Sequence, residues 1–283
     1  MNIDEPGRNL YRTLRVAESD MGVLSVVIDA PPLNLIGPEL VRDLVRLLGE
    51  MESGQDDVRV MVLESADPEY FVPHVDLTKV AEYTAEAAKA GGPDDASLGM
   101  LWHKLSELPV VSIAKLRGRA RGAGSELALA CDMRFAAREN AILGQVEVGV
   151  GTTPGAGGMQ HLVRLLGWGR AMEAILGADD FDAEQAERYG WINRALPDAD
   201  LDAFVARLAR RIASFPADAV RSAKRVLNEL TLPGADAIRA DARRFRQLVT
   251  SDTAKGRTTA LFTQGLQTRG PLELDLGDRL GAL

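Results

Sequence analysis

Residues 109–137 read PVVSIAKLRGRARGAGSELALACDMRFAA and bring a strand, a glycine-rich loop, a helix and a second strand into immediate succession. Residues 110–114 and 133–136 are largely apolar and of strand length. The loop between them contains Gly118, Gly122 and Gly124, and the helix is expected to begin near Ser125, with that serine as its cap. This order is typical of an α/β fold whose sheet is at least partly parallel.

The same alternation extends toward both ends of the chain. Strands are predicted at Val23–Ile28 and at residues 58–63, and an amphipathic helix at residues 38–51. After about residue 200 the strand pattern stops, and helices are predicted at residues 200–215, 218–230 and 235–250, with prolines between them. We therefore predict a core over residues 1–200 and a helical region over residues 201–283.

The composition is that of a globular protein, with 46% hydrophobic and 26% charged residues among 283. The 33 Lys and Arg residues against 41 Asp and Glu residues give a formal net charge of −8, which argues against nucleic acid as the main partner. No apolar run approaches the ~20 residues that span a bilayer, and residues 1–15 lack the apolar part of a signal peptide. The sequence therefore predicts a soluble, cytoplasmic protein without a membrane partner.

Metal and disulfide chemistry are not expected. Cys131 is the only cysteine, so no intrachain disulfide can form. His74, His103 and His161 are far apart in the sequence and match no metal-ligand spacing. We predict no metal site.

Two glycine-rich segments carry glutamates. In the first, the glycine loop leads into the helix that contains Glu126, and N–H groups at such a helix start can bind a developing oxyanion. The second segment, residues 143–162, reads LGQVEVGVGTTPGAGGMQHL and places Glu147 on a short stretch predicted to be extended, before another helix start. Two neighbouring carboxyl groups in a half-dry site would suit acid/base chemistry at a polarised thioester, although tight structural turns are an alternative interpretation.

Other motif interpretations fit less well. Residues 151–158 lack the Gly-Lys-Ser/Thr of a phosphate-binding P-loop, and the first loop lacks the third glycine of a dinucleotide fingerprint. A serine triad of Ser125, Asp132 and either His103 or His161 is a weak alternative, because Leu127 replaces the glycine expected two residues after the serine.

Three motifs in this order and spacing resemble the crotonase, or enoyl-CoA hydratase/isomerase, superfamily. They are GAGSELALACD at residues 122–132, GQVE at 144–147 and GTTPGAGGMQ at 151–160, and the likeness runs from about residue 20 to residue 270. The resemblance implies a spiral of ββα units, with C-terminal helices that drive assembly of a homotrimer or a dimer of trimers. It also implies an acyl-CoA thioester substrate, with coenzyme A as part of that substrate and no other cofactor.

The resemblance also implies roles for individual residues. Glu126 and Glu147 stand where family hydratases carry their two catalytic glutamates, whereas family isomerases commonly keep only the second. The backbone N–H groups of Val75 and Ala123 match the two donors of the oxyanion hole. Gly155 matches a backbone position that helps to hold the catalytic water.

The loop with the first oxyanion donor departs from the family pattern. It usually reads Phe-x-Ala-Gly-x-Asp, but residues 71–76 read FVPHVD, so that Pro73 removes a donor and His74 replaces the glycine. His74 is therefore either an additional acid/base or substrate-positioning group, or a loop histidine that bonds to the backbone or points outward. Asn34 and Asp76 match positions near bound coenzyme A, with a structural turn as the alternative for Asn34.

The sequence thus predicts an enzyme that adds water to a 2-enoyl-CoA thioester through a stabilised enolate. A second hypothesis is another reaction through the same enolate, namely isomerisation, thioester hydrolysis or decarboxylation, with Glu147 alone or with His74. A third is a trimer that binds acyl-CoA without catalysis. Residues 77–100 are expected to shape the acyl pocket, and Ala81, Ala85 and Ala88 form one face of a helix there.

Overall fold

The computed structural model describes residues 10–19, 21–53 and 57–283; residues 1–9, 20 and 54–56 of the predicted core lie outside this range. The strands are β1 Leu14–Ser19, β2 Val23–Ile28, β3 Val60–Ser65, β4 Tyr70–Val72, β5 Val111–Leu116, β6 Arg119–Arg121, β7 Met133–Ala137, β8 Ile142–Gly144, β9 Asp180–Asp182 and β10 Arg194–Leu196. The helices are α1 Pro38–Glu52, α2 Val80–Gly91, α3 Leu98–Glu107, α4 Ala123–Ala130, α5 Gly158–Leu166, α6 Trp168–Gly177, α7 Ala183–Tyr189, α8 Asp198–Ala213, α9 Ala217–Thr231, α10 Ala235–Val249, α11 Asp252–Thr263, α12 Pro271–Leu274 and α13 Leu276–Leu280. Single 3₁₀ turns span Pro93–Asp95 and Val148–Val150.

The strands form two sheets. The larger has the order β1-β2-β3-β5-β7-β10 and is parallel except for the pair β1 and β2. The smaller has the order β4-β6-β8-β9 and is parallel except for β8 and β9. The expected α/β fold with a largely parallel sheet is therefore confirmed.

The larger sheet is covered on both faces, which explains why its strands are nearly continuous apolar runs. Along β3, Met61 and Leu63 face the main core, whereas Val60 and Val62 contact the other face, where α8 packs with Leu201 among others. This alternation follows from the two-residue period of a strand. The sheet therefore anchors both the core and the first helix of the C-terminal region.

The predicted strands of the larger sheet and the predicted helices are present, with differences in detail. Strand β3 begins at Val60 rather than at residue 58. Helix α4 begins at Ala123 after Gly122, so Ser125 lies within the first turn and is not the cap; its buried Oγ has no hydrogen-bond partner in the described residues. The short strands of the smaller sheet were not predicted, because three residues are too few for a periodic pattern.

The C-terminal helices pack back on the core. No strand follows β10 in the described chain, as expected. A third apolar cluster joins the end of the chain to the second glycine segment through Val146, Leu261, Leu272, Leu276 and Leu280. No helix within the described ranges has both the length and the apolar character needed to cross a membrane.

Candidate active site

A pocket that is partly open to solvent, with a cavity volume of about 110 Å³, lies where both glycine segments meet the C-terminal helices. Its wall is mostly apolar. The predicted site residues on this wall are His74, Val75, Ala123, Glu126, Glu147 and Gly155. Six of the eight candidate site residues are therefore brought together, although they come from three separate segments of the chain.

The start of α4 provides one backbone donor. Gly122 has φ +51° and accepts the N–H of Glu126 at 2.9 Å, and Ala123 is the first helical residue. The first N–H groups of a helix have no partner within it, so the N–H of Ala123 is available to the pocket. A side chain at Gly124 is impossible without rearrangement, because its Cβ would lie 1.9 Å from the carbonyl oxygen of Val72. This close approach holds α4 against β4.

Val75 provides a second backbone donor. A parallel bridge joins Ile36 to Val75, and its hydrogen bonds run from Ile36 N–H to His74 O (3.1 Å) and from Asp76 N–H to Ile36 O (3.0 Å). Because the C=O of His74 points toward Ile36, the N–H of Val75 in the same trans peptide points away from it. The Val75 N–H therefore needs an acceptor from outside the bridge.

Glu126 is buried and held by backbone groups. One oxygen of its carboxyl, Oε1, accepts the N–H groups of Ala156 and Gly158, each at 2.8 Å. These donors belong to the glycine-rich turn that leads into α5. Burial raises the pKa of Glu126 to about 7; the two N–H groups oppose that shift, and the negative charge of Asp241 adds to it.

Glu147 is buried in the same pocket, but its side-chain donor is more distant than the donors of Glu126. It lies in a helical conformation (φ −61°, ψ −41°) at the start of the 3₁₀ turn, so the predicted extended conformation is wrong. The amide of Gln145 donates to its two carboxyl oxygens at 3.3 and 3.5 Å. Burial and the neighbouring charge of Glu126 raise the pKa of Glu147 well above its ordinary value. The two carboxyl groups therefore share one environment and interact.

His74 is turned inward. Its side chain contacts the backbone, as one interpretation of the sequence expected, and it also lines the pocket. Nδ1–H donates to the carbonyl oxygen of Val75 at 2.8 Å, and Nε2 lies 3.0 and 3.1 Å from the carboxyl oxygens of Glu273 in α12. Burial lowers the pKa of His74, but the charge and hydrogen bond of Glu273 outweigh burial and raise it.

Asn34 and Asp76 do not line the pocket. Asn34 is 2% exposed with φ +56°, and its side chain bonds to Ala30 N–H and Ser65 Oγ, so it lies in a buried turn, and its place near coenzyme A stays a prediction. Asp76 accepts hydrogen bonds from the backbone and hydroxyl of Thr78 just before α2. These bonds occupy the side chains that the resemblance places near coenzyme A.

The serine triad is not formed. Asp132 accepts hydrogen bonds from Ser112 and Lys224, and His103 is bonded to Glu107 and to the carbonyl of Pro233. Ser125 Oγ forms no hydrogen bond with Asp132 or with His103. Across residues 10–19, 21–53 and 57–283, no three His, Cys, Asp or Glu side chains are grouped to hold a metal ion.

The segment 77–100 contributes to the pocket wall as expected, through Tyr83 and Thr84 of α2 among others, whereas Ala81, Ala85 and Ala88 do not line it. Sequence reasoning missed the contribution of α10. Phe245 of α10 packs closely on Gly155. A Cβ atom added at Gly155 would lie 2.6 Å from the Cβ of Phe245. The apolar face of α10 was visible in the sequence, but no local pattern indicates which part of the core a helix will cover.

The sequence profile of the family described as enoyl-CoA hydratase/isomerase matches residues 18–267. The short-chain-enoyl-CoA hydratase of Clostridium acetobutylicum is 34% identical over 215 residues, which make up 75% of this chain and 80% of that protein. The crotonyl-CoA hydratase of Syntrophomonas wolfei is 37% identical over 191 residues, 65% of this chain and 71% of that protein. A solved structure of a candidate enoyl-CoA hydratase from Streptomyces avermitilis has a TM-score of 0.95 and 61% identity, with 98% of this chain and 99% of that chain covered. These matches include both glycine segments and confirm the expected crotonase-type fold, and the chain belongs to the enoyl-CoA hydratase/isomerase family.

Proposed function

We propose that this protein adds water across the double bond of a 2-enoyl-CoA thioester. The observation that carries the proposal is the pair Glu126 and Glu147, both buried on one pocket wall beside two free backbone donors. A hydratase needs one group to deprotonate water and another to protonate carbon, which is what two interacting carboxyls of different basicity supply. Coenzyme A would enter as part of the substrate.

The different hydrogen bonding of the two carboxyls assigns their roles. Two backbone N–H groups at 2.8 Å favour the ionised form of Glu126, whereas Glu147 has its own backbone N–H and a longer contact with the amide of Gln145, and burial together with the charge of Glu126 still raises its pKa well above the ordinary value. The shared proton therefore resides on Glu147. Glu126 would take a proton from water as the hydroxyl adds to the β-carbon, and Glu147 would give its proton to the α-carbon.

The N–H groups of Val75 and Ala123 would bind the thioester oxygen. As the hydroxyl adds, the electron pair of the double bond moves toward that oxygen and forms an enolate, which both donors stabilise. Protonation of the α-carbon then returns the electrons and completes the hydration. Gly155 borders the same space, and its N–H is proposed to help to position the water.

The direct test is the absorbance of the conjugated enoyl thioester. We expect purified protein to remove this absorbance with 2-enoyl-CoA substrates of four to ten carbons, with mass spectrometry showing a gain of one water. A gain of absorbance from 3-enoyl-CoA without hydration would indicate an isomerase instead, and release of free thiol a thioesterase. Binding of every substrate without turnover would support the non-catalytic alternative.

The pH dependence should report the carboxyl pair. Hydration requires one proton on the pair, so kcat should fall at low pH, where both groups are protonated and no base remains, and at high pH, where both are ionised and no acid remains. Because the pKa of Glu126 is raised to about 7 from 4.5, the acidic limb should lie near pH 7. We would measure kcat at saturating substrate, since the phosphates of coenzyme A titrate near a pKa of about 6 and affect binding. An acidic limb near 4.5 would contradict the assignment.

We further propose that residues 201–283 assemble the chain into a homotrimer or a dimer of trimers. Helix α9 supports this proposal because its apolar side is uncovered: Leu227 is 61% and Leu230 75% exposed. On the opposite side of the same helix lie polar residues such as Arg221 and Arg225. A second copy of the chain would bury this apolar surface.

The cytoplasmic location of the protein, expected from the sequence, stays a prediction.

The variant Leu227→Arg/Leu230→Arg should dissociate the oligomer. Placing two charges on the apolar side would leave them desolvated in an interface, so light scattering after gel filtration should change from three or six chain masses to one. Arg225→Glu, on the polar side of α9, is the matched control and should leave the mass unchanged. An unchanged mass for the double variant would exclude α9 from the interface.

A further inference from the structure

His74 stands at the centre of a buried ionic link between the pocket and the end of the chain. Its side chain is 8% exposed and that of Glu273 is fully buried, and the two residues are 199 positions apart. A buried ion pair contributes little net stability, because the cost of removing two charges from water offsets their attraction. Stability alone therefore does not explain why this pair lies beside the pocket.

The hydrogen bonds define the state of the ring. A carbonyl oxygen only accepts, so Nδ1 carries a proton in its bond to Val75 O. Glu273 Oε1 also accepts the backbone N–H of Gln267 at 2.6 Å, a further donor that favours the carboxylate. Opposite a carboxylate, Nε2 donates as well. His74 is thus an imidazolium, and the other charged group that acts on it is Arg121, which donates to the backbone carbonyl of Glu273.

The two peptides on either side of Val75 are both fixed by these contacts. In the peptide before it, His74 O is held by Ile36 N–H; in the peptide after it, Val75 O is held by the His74 ring while Asp76 N–H is bound to Ile36. The N–H of Val75 is left to point into the pocket. Pro73 stiffens the chain immediately before this arrangement.

We infer that His74 is a positioning residue that aims the Val75 N–H at the thioester oxygen, and that Glu273 of the C-terminal segment holds His74 in place. The inference rests on the proposed oxyanion hole. The contact between His74 and Glu273, called the clamp below, takes the place of the flexible glycine typical of this loop. The oxyanion hole would therefore depend on residues 266–283, which include Glu273. The imidazolium also adds positive charge beside the site where negative charge develops.

The test measures polarisation of a bound thioester rather than turnover alone. Butyryl-CoA has no double bond to hydrate, so the infrared stretching frequency of its thioester carbonyl reports the oxyanion hole directly. We expect the band to shift to lower frequency on binding to the wild-type protein. In Glu273→Gln, and in the uncharged pair His74→Gln/Glu273→Gln, more than half of that shift should be lost.

Kinetics supply the second readout. With 2-enoyl-CoA, kcat of both variants should fall about 10-fold to 100-fold, in line with a misaligned oxyanion donor, while KM changes less than about threefold. Lys224→Met is the matched control, because it breaks another ion pair, between a buried lysine and the partly buried Asp132 at 2.8 Å, and neither residue lines the pocket. It should lower the melting temperature but leave the band shift and kcat unchanged.

The outcomes separate this inference from the proposed function. If the variants lose melting temperature as Lys224→Met does but keep the wild-type band shift, the pair is only structural and the inference is wrong. If the wild type shows no band shift, the oxyanion hole itself is absent and the inference also fails. A wild type that shifts the band but hydrates nothing would refute the hydratase proposal, while the variants' loss of the shift would still support the clamp.

Discussion

Replacing either Glu126 or Glu147 by glutamine should lower kcat for 2-enoyl-CoA hydration by about 10²-fold to 10⁴-fold, the range typical of a lost general acid or base. Glutamine keeps the size and one hydrogen-bond acceptor but cannot exchange a proton. In Glu126→Gln the amide oxygen can still accept the N–H groups of Ala156 and Gly158, so the local structure should survive. The loss would therefore report the chemistry rather than the fold.

The double variant sharpens this prediction. Because the two carboxyls act as one unit, Glu126→Gln/Glu147→Gln should be about as slow as the slower single variant, not slower by the product of both effects. Glu86→Gln is the matched control, since Glu86 is also buried in the protein but binds Arg42 and Lys89 outside the pocket wall. It should keep kcat. Near-full activity in Glu126→Gln would rule out hydration by two carboxylates and favour a reaction that uses Glu147 alone.

Gly124→Ala should abolish activity and strongly destabilise the protein. The added Cβ would lie 1.9 Å from Val72 O and 2.8 Å from Val72 C, and both are backbone atoms that cannot rotate away. Relief requires α4 to move away from β4, and these two elements carry or precede the two oxyanion donors. Overpacking typically costs about 1–3 kcal/mol, and a backbone clash of this kind should reach or exceed the upper end.

The control for this change is Gly49→Ala in the last turn of α1. No atom lies within 4 Å of a Cβ placed there, so the alanine should stabilise the helix by about 0.5–1 kcal/mol and leave kcat unchanged. Chemical denaturation of both variants gives the free energies of unfolding. A Gly124→Ala protein with wild-type stability and activity would show that α4 and β4 are not held as closely as described.

The secondary structure of the larger sheet and of the long helices was predictable because each depends on a local period. The continuous apolar run of β3, whose side chains point to alternate faces of the sheet, and the apolar side of α1 are properties of contiguous residues. The conformation of Glu147 was not predictable in this way. One residue between a three-residue strand and a 3₁₀ turn has too few neighbours to define a period.

The candidate site was predictable only in part. The motifs around Glu126 and Glu147 indicated which residues to examine, and the structure then placed both on one pocket wall. The sequence did not distinguish between the possible states of His74. Its partner Glu273 lies near the other end of the chain, in a segment with no recognisable motif. Likewise, burial of the Asn34 side chain in a turn depends on Ser65 and on the adjacent strand β4, not on its own neighbours.

An α/β protein with a helical C-terminal region and two glutamates on glycine-rich segments can be derived from the sequence alone. These properties follow from local backbone preferences and from motifs of a few residues. The shared pocket of the two carboxyls, the cover of Phe245 over Gly155 and the contact of Glu273 with the histidine of the oxyanion loop become visible in the folded chain. Such pairings join residues that are distant in the chain, and they are selected by the packing of whole elements and by the cost of leaving a buried charge unpaired.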